Sequence, residues 1–181
     1  TPGRANKISA KFARYIGISF QDTAKYFNQK KVALTGIPIR KFFSVENPNP
    51  YEFLKVPNNK PIIFVTGGSS GAVRINNLIL DSLDELLPKY TLIHQAGSKH
   101  ADNIIKTAGS LIADHSLLQN YFVFGHMTGE QFSAAQEVSG LIVSRAGSGT
   151  IAEIALKQKP SVLIPIPEDV SHDQRTNAYT Y

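Results

Sequence analysis

Three clusters of residues in this 181-residue chain have the types and spacing to do chemistry. The first is Arg145-Ala146-Gly147-Ser148-Gly149-Thr150, with Glu153 three positions beyond Thr150. Small residues admit close approach of a ligand to the backbone, and a helix starting here offers unpaired N–H groups to an anion. Glu153 has two readings. Thr-x-x-Glu is the spacing of a capping box, in which the carboxylate bonds backbone near Thr150. In the other reading the carboxylate accepts two hydrogen bonds from a ribose diol at the helix start. Arg145 is open in the same way, as a phosphate ligand or as a tie between loops through carbonyl groups. The second cluster, Gly67-Gly68-Ser69-Ser70-Gly71, combines permissive backbone with hydroxyl donors. That composition binds phosphate, and a tight turn between strand and helix would share it. No Gly-Lys-Ser/Thr follows and the G-x-G-x-x-G spacing is missing, which excludes a Walker A loop and a dinucleotide fingerprint. The third cluster is His172-Asp173-Gln174-Arg175-Thr176-Asn177. Gln174 and Asn177, three apart, share a helix face, and their carboxamides donate and accept as sugar hydroxyls require. A solvated helix start is the alternative.

What must position these clusters is a run of alternating strands and helices. Pro61 to Thr66 reads as a buried strand, Val73 to Leu87 as a helix ended by Pro88, and Tyr90 to His94 as a strand. Ala101 to Ala113 reads as a helix, Tyr121 to Phe124 as a strand and Glu130 to Val138 as a short helix. Leu141 to Val143, a helix from a Thr150 cap to about Lys157, and Val162 to Ile164 complete a βαβ unit. This alternation predicts an α/β, Rossmann-like parallel sheet with helices on both faces. Right-handed crossovers then bring every loop that follows a strand to one edge, where open α/β sheets bind ligands. Upstream, residues 1–17 carry a basic helical pattern in which Ile8, Phe12 and Tyr15 are expected to pack inward, with Lys7, Lys11 and Arg14 along one side. Short strands at Gly17 to Phe20 and Lys31 to Leu34 flank a helical turn at Thr23 to Phe27. Residues 44–60 hold three of the ten prolines and four asparagines, the composition of a linker with one helical turn around Tyr51 to Leu54.

Composition limits the function classes. The chain has no cysteine, which excludes disulfides and thiolate metal sites, and His94, His126 and His172 have no ligand spacing. No apolar run approaches the length of a membrane span. No G-x-S-x-G elbow is present. The net charge of +5 is unevenly spread. Residues 1–43 hold nine Lys/Arg against the single acid Asp22, whereas residues 44–181 hold ten against thirteen acids. The basic segment suits anionic lipid or phosphate, or is a solvated face.

The stretches Thr66 to Asn76, Ser144 to Glu153 and Gln174 to Ala178, in that order, resemble the signatures of the MurG family of peptidoglycan glycosyltransferases. Thr35-Gly36-Ile37-Pro38-Ile39-Arg40 is similar to that family's interdomain T-G-N-P-V-R, and His94-Gln95-Ala96-Gly97 to its H-Q-x-G. The resemblance implies a GT-B glycosyltransferase architecture of two Rossmann-like domains around a cleft. Residues 1–43 would be the end of the N-terminal acceptor domain with the hinge, 44–60 a linker, and 61–181 the C-terminal UDP-sugar-binding domain, truncated at its end. It implies an inverting, metal-independent hexosyltransferase that moves N-acetylglucosamine from UDP-GlcNAc to the lipid-linked muramyl-pentapeptide in peptidoglycan synthesis. No cofactor and no nucleic acid are implied. The place of action would be the cytoplasm, peripheral on the inner face of the cell membrane, alongside other cell-wall synthesis proteins. Residue by residue, Ser69 and its loop would contact the diphosphate, and the backbone near Phe124 and Gly125 would read the uracil. The loop holding Ala146, Ser148 and Thr150 would lie against the nucleotide. Glu153 would take the ribose hydroxyls, Gln174 with Asn177 nearby would face the sugar, and Arg40 would approach the donor from the hinge. The catalytic base and most of the acceptor half are expected before residue 1, so this chain alone is expected to bind UDP or UDP-GlcNAc weakly or not at all and to transfer no sugar. The chain departs from the family where His172-Asp173-Gln174 stands for Asp-His-Gln, Ser70 for Gln and Ile37 for Asn. Two alternatives stay open, another GT-B nucleotide-sugar transferase with a lipid or polysaccharide acceptor, and a non-catalytic nucleotide-sugar-binding subunit.

Overall fold

The computed structural model describes residues 2–68, 72–167 and 172–181. The chain divides into two compact units between Ile39 and Arg40. In the first, α1 (Arg4–Phe12) is followed by β1 (Ile16–Ile18), 3-10 turns at Gln21–Tyr26 and Gln29–Lys31, and β2 (Val32–Leu34). The two strands pair in parallel, Ile16 opposite Val32 and Ile18 opposite Leu34. Lys31 Nζ donates to the Ala13 carbonyl at 2.9 Å. Among the described residues of this unit only Ile18 is a buried apolar side chain. The expected inward packing of Ile8, Phe12 and Tyr15 does not occur: they are 60%, 86% and 74% exposed. A two-stranded sheet is too narrow to give a helix a face to cover, and α1 buries no residue. The helix also ends at Phe12, with Ala13 extended, so Arg14 lies beyond it.

The second unit holds α2 (Pro50–Leu54), β3 (Ile62–Thr66), α3 (Val73–Asp81), α4 (Leu83–Leu86), β4 (Thr91–Gln95) and α5 (Ala101–Leu111). It continues with β5 (Tyr121–Phe124), α6 (Gly129–Val138), β6 (Leu141–Ser144), α7 (Ser148–Leu156), β7 (Ser161–Leu163) and α8 (His172–Thr180). The helix expected over 73–87 is broken at Ser82. Its hydroxyl donates to the Leu78 carbonyl at 2.8 Å and its backbone angles (φ −104°, ψ 0°) depart from the ideal helical values. Residues 44–60 contain α2, and Leu54 and Val56 are buried in a core, so this stretch is packed structure.

All five strands are parallel, in the order β5-β4-β3-β6-β7. Alternate residues of each strand feed opposite faces. Ile63, Val65, Leu92 and Val143 join a core with Ile75, Ile79, Leu83 and Ile104. Ile62, Phe64, Ile93 and Ile142 join a second core with Leu54, Met127, Ala134 and Ile154. The chain runs outward from β3 to β4 and β5, then returns to lay β6 on the other side of β3. The strand order therefore reverses between β3 and β6. Loops leaving these two strands part company there, which opens a crevice at the carboxyl ends. Gly67 and Gly68 after β3 and the Arg145–Gly147 loop after β6 are the described residues that flank it.

Candidate functional site

The crevice is built from the ends of strands. Thr66 closes β3. Its hydroxyl donates to Gln95 Oε1 at 2.8 Å and accepts the Gly68 N–H at 3.1 Å. Gly68 has φ +83°, a conformation in which a side chain would be strained. Ser69, the expected diphosphate contact, lies outside the described residues, as do Ser70 and Gly71. The helix beyond the loop, α3, has no side-chain cap at its N-terminus. Its first turns are pinned to the neighbouring strand by Asn76, whose Nδ2 donates to the Ala96 carbonyl at 3.1 Å. That bond turns Asn76 Oδ1 toward His94, so His94 Nε2–H donates to it (3.1 Å) and Nδ1 accepts from the Tyr121 hydroxyl (2.7 Å). His94 is fully buried, and burial pushes its pKa down to about 4. This neutral network ties α3, β4 and β5 together directly beneath the loops. Sequence reasoning gave His94 no role beyond a motif position.

On the other side of the crevice, α7 starts at Ser148 with Gly147 as N-cap and no side-chain cap. This overturns the capping-box reading. Thr150 is the third helical residue and Glu153 the sixth, too far along to reach the helix start. Glu153 instead accepts a hydrogen bond from Arg40 at 3.0 Å in an ion pair. Its side chain is 12% exposed and that of Arg40 is 58% exposed. Burial raises the Glu153 pKa, and the Arg40 hydrogen bond and charge oppose that rise. Ser148 and Thr150 are half-exposed in the first turn, while Ala146 is buried.

Arg40 is held from behind by aromatic packing that the sequence did not signal. The 3-10 turn Lys41–Ser44 follows it, and its guanidinium carbon lies 4.8 Å and 5.2 Å from the Phe42 and Phe43 ring centres. Phe43 is buried edge-on to Phe132 of α6, whose ring is also edge-on to Phe64 of β3. The Ser133 hydroxyl donates to the Phe42 carbonyl at 3.2 Å.

The other expected site residues fall into two places. Asn177 Nδ2 donates to the Ala146 carbonyl at 3.2 Å, and Gln174 Oε1 accepts the Ile166 N–H at 3.2 Å. Each carboxamide of α8 therefore uses one end to hold the backbone of the β6 and β7 loops. Phe124 and Gly125 end β5, three strand positions from β6, a span of about 14 Å at ordinary strand spacing. The Phe124 carbonyl accepts the Ala96 N–H at 2.9 Å. A Cβ on Gly125 would come within 3.2 Å of the Ser98 backbone, so any other residue here would push the neighbouring loop away by a few tenths of an ångström. The structure thus joins Arg40 with Glu153 and Asn177 with Ala146, and leaves Phe124 and Gly125 at the far end of the strand edge. Among the described residues no three His, Asp or Glu side chains gather as a metal would need.

Comparison with known proteins places this arrangement. A protein from Treponema denticola named UDP-N-acetylglucosamine--N-acetylmuramyl-(pentapeptide) pyrophosphoryl-undecaprenol N-acetylglucosamine transferase is 35% identical over 184 residues, covering 98% of this chain and 47% of that protein. A protein of the same name from Borrelia garinii is 38% identical over 181 residues, covering 98% of this chain and 45% of its own length. The chain spans about half the length of the curated relatives it matches. The crystal structure of Acinetobacter baumannii MurG superimposes with a TM-score of 0.65 at 24% identity, over 98% of this chain and 46% of that one, which shows a shared fold. Residues 62–180 match the glycosyltransferase family 28 C-terminal domain. The chain belongs to glycosyltransferase family 28, and the crevice between β3 and β6 lies within the part that carries the family's C-terminal domain.

Proposed function

We propose that the Arg40–Tyr181 unit is the donor-binding part of an inverting, metal-independent N-acetylglucosaminyltransferase. The full-length protein would move N-acetylglucosamine from UDP-GlcNAc to lipid-linked muramyl-pentapeptide. The names of the relatives support the reaction, and the family supports the chemistry of the domain. The observation that carries the reading is Glu153, a poorly exposed carboxylate in the second turn of α7 beside the topological switch point. Uncapped helix starts at α3 and α7 offer N–H groups to the diphosphate, which stabilises the leaving group as the hexose departs to an acceptor hydroxyl. Uracil would lie toward Phe124 and Gly125, and the sugar toward Gln174. Ser69 would add its hydroxyl to the phosphate cradle. No residue of this chain is assigned as the base.

Glu153→Ala in the full-length protein is expected to weaken UDP binding by about 1.5–3 kcal/mol, the scale of hydrogen bonds to a charged group. Binding of 2′,3′-dideoxy-UDP, which has no diol, should change far less. Equal losses for the two ligands, measured by calorimetry, would remove Glu153 from the ribose site.

Among the described residues no helix is long and apolar enough to cross a membrane. A lipid-linked acceptor must nevertheless be met at a surface. The first unit, with seven Lys/Arg and one acid between residues 1 and 39, is the part suited to anionic headgroups.

A further inference from the structure

The ion pair between Arg40 and Glu153 joins two unlike partners. Glu153 is fixed on α7 and nearly covered. Arg40 is fixed only at its base: its carbonyl accepts the Phe43 N–H at 3.0 Å, and Phe42 and Phe43 lock the following turn onto α6. Its tip rests over two rings, and its side chain is more than half exposed. The guanidinium has five N–H donors, so it can turn to another acceptor without losing its seat on the rings.

A diol bound by both oxygens of the Glu153 carboxylate needs Oε1, the atom that Arg40 holds. A nucleoside diphosphate carries the complement of each partner, a diol for the carboxylate and a phosphate for the guanidinium. We propose that Arg40 is the exchangeable partner of Glu153, occupying its ribose-binding oxygen in the empty site and passing to the phosphate of an arriving nucleoside diphosphate. The inference rests on reading Glu153 as the ribose ligand. It makes the site selective by charge matching. A nucleoside without phosphate has to break the pair and leaves Arg40 without an anion. Pyrophosphate without a nucleoside leaves Glu153, nearly covered, without a donor. Only a ligand with both groups replaces what it breaks.

The test is the affinity of the full-length protein for uridine and for UDP, by ligand-observed NMR at millimolar ligand, in wild type, Arg40→Gln and Arg40→Lys. Amide spectra check the fold of each variant. Arg40→Gln should tighten uridine about twofold to fivefold, the scale of a part-exposed ion pair no longer to be broken. The same change should weaken UDP roughly 10-fold to 100-fold through the lost charged hydrogen bond to phosphate. Arg40→Lys, which keeps the charge, should recover most of the UDP affinity. Effects of opposite sign on the two ligands are what a merely structural role would not produce. UDP and uridine weakened by the same factor, or neither affected, would overturn the exchange and leave the ribose reading standing. Failure of UDP to bind the wild-type full-length protein would overturn the ribose reading and the exchange with it.

Discussion

His94 shows how one buried residue sets an acid limit on the fold. Its folded pKa is about 4 against an ordinary value of 6.5, because burial disfavours the charged ring. Between those values the unfolded chain binds a proton that the folded chain refuses, so stability rises with pH. On acidification the contribution begins to fall below pH 6.5 and is lost near pH 4, on the order of 3 kcal/mol in all. Urea unfolding at pH 7 and pH 4.5 should show this loss in wild type, and a shallower one in His94→Gln. Matching acid sensitivity in both proteins would assign the titration elsewhere. The residue was visible in the sequence; its environment was not, because Asn76 and Tyr121 come to it from 18 and 27 positions away. Glu153 was ambiguous in the sequence. A carboxylate after a glycine-bearing loop suits a ligand or a cap, and the cap depended on a frame that spacing cannot fix. Gly147, Ser148 and Thr150 can all start a helix, and in the fold Gly147 is the N-cap.

At the scale of elements, the same Thr-x-x-polar spacing had its cap elsewhere. Thr128 and Gln131 form a true capping box at α6, with the Gln131 N–H donating to Thr128 Oγ1 (3.2 Å) and the Thr128 N–H donating to Gln131 Oε1 (2.9 Å). Thr128→Ala should cost about 1 kcal/mol. Gly129 beside it has no room for a Cβ, which would overlap the Phe42 ring. Gly129→Ala should therefore cost roughly 1–3 kcal/mol by overpacking, against the small gain expected from alanine in an unobstructed helix. Urea titration of both variants checks this, and a stabilising Gly129→Ala would show that the Phe42 ring is free to move. Strand positions were legible because each is a short apolar run whose alternate residues serve two cores. Their order was not. Nothing local in Leu141–Ser144 says that it pairs with β3 and not with β5, so the switch point became visible only in the assembled sheet.

For the whole molecule, the charge asymmetry and the fold of the two units bear on each other. The exposed Ile8, Phe12 and Tyr15 stand among Arg4, Lys7, Lys11 and Arg14, so the basic segment is amphipathic at its surface and not only charged. Replacing Lys7, Lys11 and Arg14 together by Gln in the full-length protein should reduce sedimentation with anionic vesicles at low salt and leave neutral vesicles unaffected. Unchanged binding to anionic vesicles would leave this segment without a membrane role. Ile18, the single buried apolar side chain among the described residues of the first unit, also has a consequence for the lifetime of the chain. Proteolysis follows local opening, and an element with so little burial opens without unfolding the rest. Trypsin finds Arg4, Lys7, Lys11, Arg14, Lys25 and Lys30 there, whereas β3, β4 and β6 are shielded by two cores. Mass spectrometry of a timed digest should show the amino-terminal residues cut away first and a durable core that still contains both Arg40 and Glu153; early cleavage within β3 to β6 would contradict it. The molecule is thus expected to degrade in order, shedding the segment suited to surfaces before the crevice.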